Sequence, residues 1–422
     1  MICSEEEQMN TFLIITLQIL PIPDVMGGGT ENVVTSLIDV NEEKNEARFI
    51  VTSNYNAQAA ASEYNKSKIY YFDHHNIICN QDTGKAVWKW SLRHFLFRIR
   101  RKIFHNRFTR RIFGSGKDMY DFMMDQYIWI AKKEKADYVI TYEESRIDRY
   151  ERFNRLLGKD RVYFHVICHN KENLAIRSVI HNSLSISKFV LSEWVKDTSI
   201  AGNNAVLYNG SRLARYKNPF SNAERQKRRE ELAIQEDDFV VVFVGRMIPV
   251  KGVAQILEAF ERMRELHIKL ILIGSPLFAK NLETDFSRTM REKAQKMNNV
   301  IYLGYVPNED LFNYYGISDA QLVPSIWQEG AGLVAIEGMA AGLPLIVTDS
   351  GGMIEYVDDN CAIKVPIDDN LPDHLATEII RLSQDKERCK KMSEAGKKRS
   401  ELFSSEALYD NFLAVFGGTT LS

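Results

Sequence analysis

The 422-residue chain lacks the marks of several protein classes. Its five cysteines (Cys3, Cys79, Cys168, Cys361 and Cys389) are odd in number and widely spread. None forms a Cys-x-x-Cys pair, so neither a zinc knuckle nor a disulfide framework is indicated, and a reducing compartment is expected. Charge of one sign is also missing: 54 Lys+Arg against 56 Asp+Glu leave a net −2. Such balance excludes a general nucleic-acid coat, although a local basic patch stays compatible with it. No long apolar run opens the chain. The stretch Gln8–Pro23 is interrupted by Pro21 and Pro23 and falls short of the roughly 20 residues that span a bilayer. Glu5, Glu6 and Glu7 stand where a secretory signal carries positive charge. Met1–Gln8 is expected to be a frayed end, with Met9 as an alternative start. The Gly-x-Gly-x-x-Gly fingerprint and the Walker loop are absent, Gly114-Ser-Gly-Lys117 being a fragment followed by Asp118. No Asp-x-Asp is present to hold a divalent cation, and no repeat of solenoid length is visible.

What is present belongs to a folded protein: 45% hydrophobic and 26% charged residues. Short apolar runs alternate with amphipathic stretches, which predicts an α/β class. Strands are expected at Phe12–Leu20, Ala47–Ser53, Ile69–Phe72, Tyr138–Thr141, Val162–Cys168, Phe189–Ser192 and Ala205–Tyr208. A second series is expected at Phe239–Val244, Lys269–Ile273, Val300–Leu303, Ala320–Val323, Leu345–Val347 and Ala362–Lys364. Asn and Pro near Tyr216–Pro219 mark a boundary, after which Glu224–Glu231 reads as a charged surface helix. Val253, Ile256, Leu257, Phe260 and Met263 recur at helical spacing. Gly330–Ala341 reads as a helix stopped by Gly342, and Ser404–Val415 as a terminal one. The expected domains are residues 1–216 and 217–400, with 401–422 returning to the first.

Several constellations carry chemistry. Gly245-Arg246 follows an apolar strand, and Lys251-Gly252 opens the next helix. Two cations beside a helix N-terminus suit a diphosphate. In Glu329-Gly-Ala-Gly-Leu-Val-Ala-Ile-Glu337, eight helical residues would set the two acids about 12 Å apart, near the span from a sugar past a diphosphate to a ribose. Gly330 and Gly332 leave backbone amides open to phosphate, and Glu337 needs a hydrogen-bond partner if buried. Asp349-Ser-Gly-Gly352 lines the same pocket or is only a tight turn. Gly27-Gly28-Gly29-Thr30-Glu31 follows the first strand and could bring amides to a ligand. His169 ends a strand and has a rival in His165; a lone histidine is more often structural. His74 and His75 have no evident partner ligands, so no metal is assigned. Arg93–Lys117 holds nine Lys/Arg and no acid, interleaved with aromatic and aliphatic residues. It suits an anionic membrane surface, with RNA or a solvated helix as the alternatives.

Gly245-Arg246…Lys251-Gly252, Glu329-x7-Glu337 and Thr348-Asp349-Ser-Gly-Gly together resemble the family-four retaining glycosyltransferases. That resemblance is strongest over Phe239–Val357. It extends more weakly to Gly27–Val34, His169 and Tyr208-Asn209-Gly210. It implies the GT-B fold, two Rossmann-like α/β domains facing across a cleft, and a hexosyltransferase-like enzyme. Its donor would be a nucleotide-sugar, with UDP as the leading base. By resemblance, Arg246 and Lys251 hold the diphosphate, Glu337 the ribose, and Glu329 the sugar hydroxyls with the amides of Gly330, Ala331, Gly332 and Leu333. Tyr305 and Val306 edge the base, Gly28 and Gly29 approach from the first domain, Asn209 joins the substrate contacts, and His169 touches the reacting sugar. Two departures stand out: Gly-Gly-Gly-Thr-Glu varies the commoner Gly-Gly-x-Glu, and Ser211-Arg212 follows Asn209-Gly210 where an acid is usual. The implied protein needs neither metal nor cofactor. It would serve a lipid-linked or polysaccharide acceptor at the inner face of the cell membrane, without binding nucleic acid. An epimerase or phosphorylase on the same fold, or a non-catalytic membrane-bound partner, are the alternatives.

Overall fold

The computed structural model describes residues 9–16, 20–25, 28–104, 119–142, 147–166, 176–196, 202–217, 220–276 and 283–417. Chain contacts divide into two units, Met1–Ser185 with Leu191–Val206, and Ile186–Val190 with Leu207–Ser422. His169, Gly27, Pro219, the Met1–Gln8 end and residues 105–118 of the basic segment lie outside the described residues.

The first unit is built on β1 (Thr11–Ile15), β2 (Arg48–Asn54), β3 (Lys68–Phe72), β4 (Tyr138–Tyr142), β5 (Val162–Val166), β6 (Asn182–Ser185) and β7 (Asn204–Val206). Their order is β3-β2-β1-β4-β5-β6-β7, all pairs parallel. A parallel sheet covered on both faces needs apolar residues at consecutive positions, and Phe12, Leu13 and Ile14 are all fully buried. Three helices matter below: α1 (Gly29–Lys44), α2 (Trp88–Phe104) and α3 (Met119–Lys133).

The second unit is built on β8 (Phe239–Val244), β9 (Ile268–Ile273), β10 (Val300–Gly304), β11 (Ala320–Val323), β12 (Leu345–Thr348) and β13 (Ala362–Val365), ordered β10-β9-β8-β11-β12-β13 and again parallel. Strand alternation divides its core. Val241 and Phe243 join Leu257 and Phe260 of α4 (Val253–Glu261) on one face. Val240 and Val242 join Ile336 and Met339 of α5 (Leu333–Ala340) on the other. The five residues that predicted α4 from their spacing are all fully buried.

Three expectations are corrected. Phe189–Ser192 is not a strand but part of the helix Lys188–Val195. Val190 and Trp194, four apart, are both fully buried, a helical spacing that a short apolar run hides. The Ser187 hydroxyl accepts from the Val190 amide at 3.2 Å as a cap, while the Glu355 carboxylate accepts from the Lys188 and Phe189 amides at 2.8 and 2.7 Å. The strand there is instead β6, Asn-Ser-Leu-Ser, whose polar composition concealed it. The charged helix Asn222–Glu231 is not wholly on the surface: Arg229 is buried and pairs with Asp319 at 2.6 Å. Gly330–Gly332 precedes α5 rather than forming its first turn, so only the second half of the Glu329–Glu337 interval is helical. The helix does stop as expected: Gly342 takes a φ of 79° and the Leu343 amide donates back to the Gly338 carbonyl at 2.9 Å.

Candidate functional site

In the second unit the chain fills the sheet outward from β8 to β10, then returns to lay β11 on the other side of β8. Open α/β sheets bind ligands where strand order reverses, beyond the carboxyl ends. The β8 and β11 ends are that point here, and the loops after them carry Arg246, Lys251 and Glu329.

These loops are fastened by backbone. After β8 the chain makes a 3-10 turn, Pro249–Lys251, and enters α4 through Gly252 at φ 74°. A Cβ on Gly252 would stand 2.0 Å from the Pro324 carbonyl oxygen, so only glycine permits this approach to the β11 end. The Ile326 amide donates to the Val250 carbonyl at 2.9 Å. From β12, the Thr348 hydroxyl donates to the Ser325 carbonyl at 2.6 Å and the Gly352 amide to the Glu329 carbonyl at 2.7 Å. The Ser350 hydroxyl accepts from the Glu329 amide at 3.2 Å and donates to the Trp327 carbonyl. The Asp349–Gly352 loop is thus a clamp on the backbone of Glu329.

That clamp places the Glu329 carboxylate against the Lys251 ammonium in a direct ion pair. The Ser325 hydroxyl, buried beneath, donates to the same carboxylate oxygen at 2.5 Å. Lys251 and Glu329 are mostly screened from water, with 23% and 12% of their side chains exposed. Arg246 is exposed, and its guanidinium has no partner among the described residues. Gly330 and Ala331 are half-buried in the lead into α5, Gly332 caps it and Leu333 begins it. The structure therefore brings Lys251 and Glu329 together and leaves Arg246 as the open charge beside them in sequence.

Glu337 lies on the inner side of α5 and is only 5% exposed. The sequence argument required a partner for it, and Tyr315 supplies one, its hydroxyl donating to the carboxylate at 3.2 Å. Gln321 braces Tyr315 through a 3.5 Å contact with the hydroxyl and donates to the Val334 carbonyl at 3.0 Å. Gly338 makes room for that amide. Tyr216 meets the Tyr315 ring edge-on at 5.4 Å. Burial, and then the Glu337 charge, push both tyrosine hydroxyls well above their ordinary range. Tyr315, Gln321 and Tyr216 were not singled out from sequence, because nothing local marks a tyrosine as the neighbour of an acid 22 residues away.

Tyr305 follows β10 with 39% of its surface exposed, and Val306 is half-buried after it. Asn209 is buried, its amide donating to the Tyr356 hydroxyl at 3.0 Å. In the first unit, the strand order reverses between β1 and β4. There Gly28 (φ 110°) precedes α1 and Gly29 begins it. Glu31, in the first turn of α1, is 5% exposed, and burial lifts its carboxyl to about 7. His165, at the end of β5, is fully enclosed and stacks on Tyr142 at 4.4 Å. Neither ring nitrogen has a partner among the described residues, and burial pushes the imidazole down to about 3. It is a neutral core residue.

Residues 224–399 match the family model for glycosyl transferases group 1. Over this segment the chain is similar to the group 1 glycosyl transferases. The group 1 segment contains Arg246, Lys251, Glu329 and Glu337, all on the second sheet's carboxyl side or on α5. Similar proteins include the lipopolysaccharide 1,2-N-acetylglucosaminetransferase of Salmonella typhimurium, 31% identical over 44% of this chain and 48% of that one. Another is the D-inositol 3-phosphate glycosyltransferase of Segniliparus rotundus, 30% identical over 47% and 44%. The chain spans about half the length of the curated relatives it matches. Among solved structures, a glycosyltransferase from Rickettsia africae superposes with a TM-score of 0.71 over 98% of this chain and 99% of that one, at 16% identity. Anabaena HepE, solved in complex with UDP and glucose, gives 0.68 over 97% and 99% at 15%. With two parallel α/β sheets and these neighbours, the chain has the two-domain, Rossmann-like GT-B fold.

Proposed function

We propose that this protein is a retaining, metal-independent glycosyltransferase that moves a sugar from a UDP-sugar to a lipid-linked or polysaccharide acceptor. One observation carries the reading: inside the group 1 segment, a clamped loop holds Glu329 against Lys251 at the β8/β11 switch point, with Arg246 open alongside. UDP bound to a neighbour of the same fold supports the donor class, and a lipopolysaccharide N-acetylglucosaminetransferase among the relatives supports the acceptor class.

Each residue then has a task. As the C1–O bond to the diphosphate breaks, negative charge grows on the leaving oxygen. Arg246 and Lys251 are preset to receive it, and losing one such contact costs about 3 kcal/mol of barrier. Glu329, already accepting hydrogen bonds, exchanges them for sugar hydroxyls. The backbone around Gly330–Leu333 offers amides at the start of α5. Glu337 reaches the ribose, held by Tyr315. The acceptor oxygen forms its bond to C1 on the face the phosphate leaves, and the acceptor's proton passes to that phosphate. No carboxylate nucleophile is then required. Two side-chain cations stand in for a divalent metal, in keeping with the missing Asp-x-Asp. His169 contacts the reacting sugar in this reading, and Gly28 and Gly29 approach the donor. The protein works as a peripheral one; no described helix is long and apolar enough to cross a membrane.

The test is incubation of the full chain with a panel of UDP-sugars and membrane extract, with and without EDTA. Transfer that keeps the donor's anomeric configuration and withstands EDTA is expected. Inverted product, or loss of transfer in EDTA, overturns the mechanism.

A further inference from the structure

Helix α2 is fastened to the first unit by one face and exposes an apolar row on the other. Trp90 is buried against Phe122 and Trp129, with ring centroids 5.9 and 5.5 Å away, and His94, one turn on, is buried against Phe122 at 5.4 Å. Trp88, Leu92, Phe95 and Ile99 follow one another at intervals of four, three and four residues. At 100° per residue they form a line about half a turn from Trp90 and His94. All four are exposed, Trp88 to 77% and Phe95 to 59%, and Leu96 flanks them at 55%. The helix cannot rotate to bury this row without withdrawing Trp90. The sequence alone left open whether the aromatic face of this segment turned inward; Trp88 and Phe95 turn outward.

Cations border the row. Lys89 and Arg93 each follow a row residue by one position, and Arg98 precedes Ile99; all three are exposed. No acid occurs from Arg93 to Lys117. Beside the start of the helix lies a groove of about 290 Å³ lined by Tyr70, Trp90, Trp129, Lys89 and Lys133 among others, with no carboxylate in its lining. The Lys89 and Lys133 ammonium groups stand 5.2 and 4.7 Å from the same Trp129 ring. Neither has a carboxylate partner among the described residues, whereas nearby Lys68 is paired with Glu134 at 2.9 Å. Two ammonium groups over one indole, with no carboxylate beside them, have the charge that a phosphate pairs with.

We propose that α2 lies in the surface of an anionic bilayer, with Trp88, Leu92, Phe95 and Ile99 among the acyl chains and a lipid phosphate between Lys89 and Lys133. The charge pattern selects this occupant. A second copy of the chain would set one basic border against another. RNA would meet a row that is half aliphatic, whereas bases stack on aromatic rings. A bilayer satisfies the apolar row and the cations at once, at the depth where an interfacial helix rests. The inference deepens the membrane-surface part of the reading above, and its test requires no sugar transfer.

The full chain is sedimented with phosphatidylglycerol–phosphatidylethanolamine vesicles and, separately, with phosphatidylcholine vesicles. Binding to the anionic vesicles is expected to be at least about tenfold tighter. Phe95→Ser/Ile99→Ser and Lys89→Ala/Lys133→Ala should each weaken it about tenfold or more, the second pair also narrowing the preference for phosphatidylglycerol. Brominated lipid should quench a tryptophan signal that Trp88→Phe deletes. UDP binding by calorimetry should be unchanged in all these variants, so a failure of the donor reading is scored separately. Equal affinity for both vesicles, no binding, or variants that bind like the parent overturn the proposal. So does RNA binding, or self-association in the ultracentrifuge, that the Phe95→Ser/Ile99→Ser change abolishes in place of vesicle binding.

Discussion

The carboxyl ends of β8 and β11 in one unit, and of β1 and β4 in the other, occupy the same place in two similar sheets but manage charge differently. In the second unit both acids at the site have a partner: Glu329 has Lys251 and Ser325, and Glu337 has Tyr315. In the first, Glu31 is enclosed near buried Asp24, and burial raises its carboxyl to about 7. At the adjoining β5 end, His165 is enclosed as a neutral ring with no hydrogen-bond partner among the described residues. The difference teaches that one end pairs its charged groups directly, whereas the other holds its titratable groups by desolvation. The same fold position therefore predicts two kinds of pH behaviour.

The largest expected effect sharpens the comparison on the paired side. Lys251→Ala should lower transfer by about a hundredfold or more while the near-ultraviolet circular dichroism of the fold persists, since a partly exposed lysine is removed from a loop that backbone contacts hold. Full activity in that variant would dissolve the distinction. Next comes the desolvated side. A carboxyl raised from 4.5 to about 7 favours the protonated native state, so its contribution to stability falls as pH rises through that window and stays lowered above it. Glu31→Gln should stabilise the protein by about 3 kcal/mol at pH 8 and by little at pH 4, read from urea unfolding. A gain that is equal at both pH values would show that Glu31 is not held by burial. Tyr315→Phe should cost about 2 kcal/mol in the same assay, the loss of one hydrogen bond to an enclosed carboxylate. His165 gives the smallest effect at neutral pH and an opposite sign in acid. Its pKa is depressed, so the unfolded chain takes up the proton first and stability falls as pH drops from 6.5 toward about 3. His165→Phe should flatten that acid slope and change little at pH 7.5; an unchanged slope would exclude His165 as its source.

Much of this architecture was legible beforehand. Phe239–Val244 and Ala320–Val323 are strands with the limits read from their apolar runs, because a strand buried on both faces announces itself without alternation. β6 was not legible, since Ser183 and Ser185 are buried by neighbours rather than by their own hydrophobicity. Phe189–Ser192 misled for the converse reason: an apolar run too short to show its period. At the site, the glycines and charges that follow β8 and β11 were visible as a pattern, but their mutual contact was not. Nor was the clamp by Ser350 and Gly352, which joins residues more than twenty positions apart.

The sequence by itself determined the class of the two sheets, the residue types at their carboxyl ends and the basic, apolar-rich character of Arg93–Lys117, because strand burial, glycine loops and charge runs are local properties. Only the tertiary structure decided that Lys251 meets Glu329, that Tyr315 shelters Glu337, and that Trp88 and Phe95 face outward while Trp90 faces in. Those outcomes depend on which distant segments exclude water from a side chain, and that is settled when helices and loops close over the sheets, not along the chain.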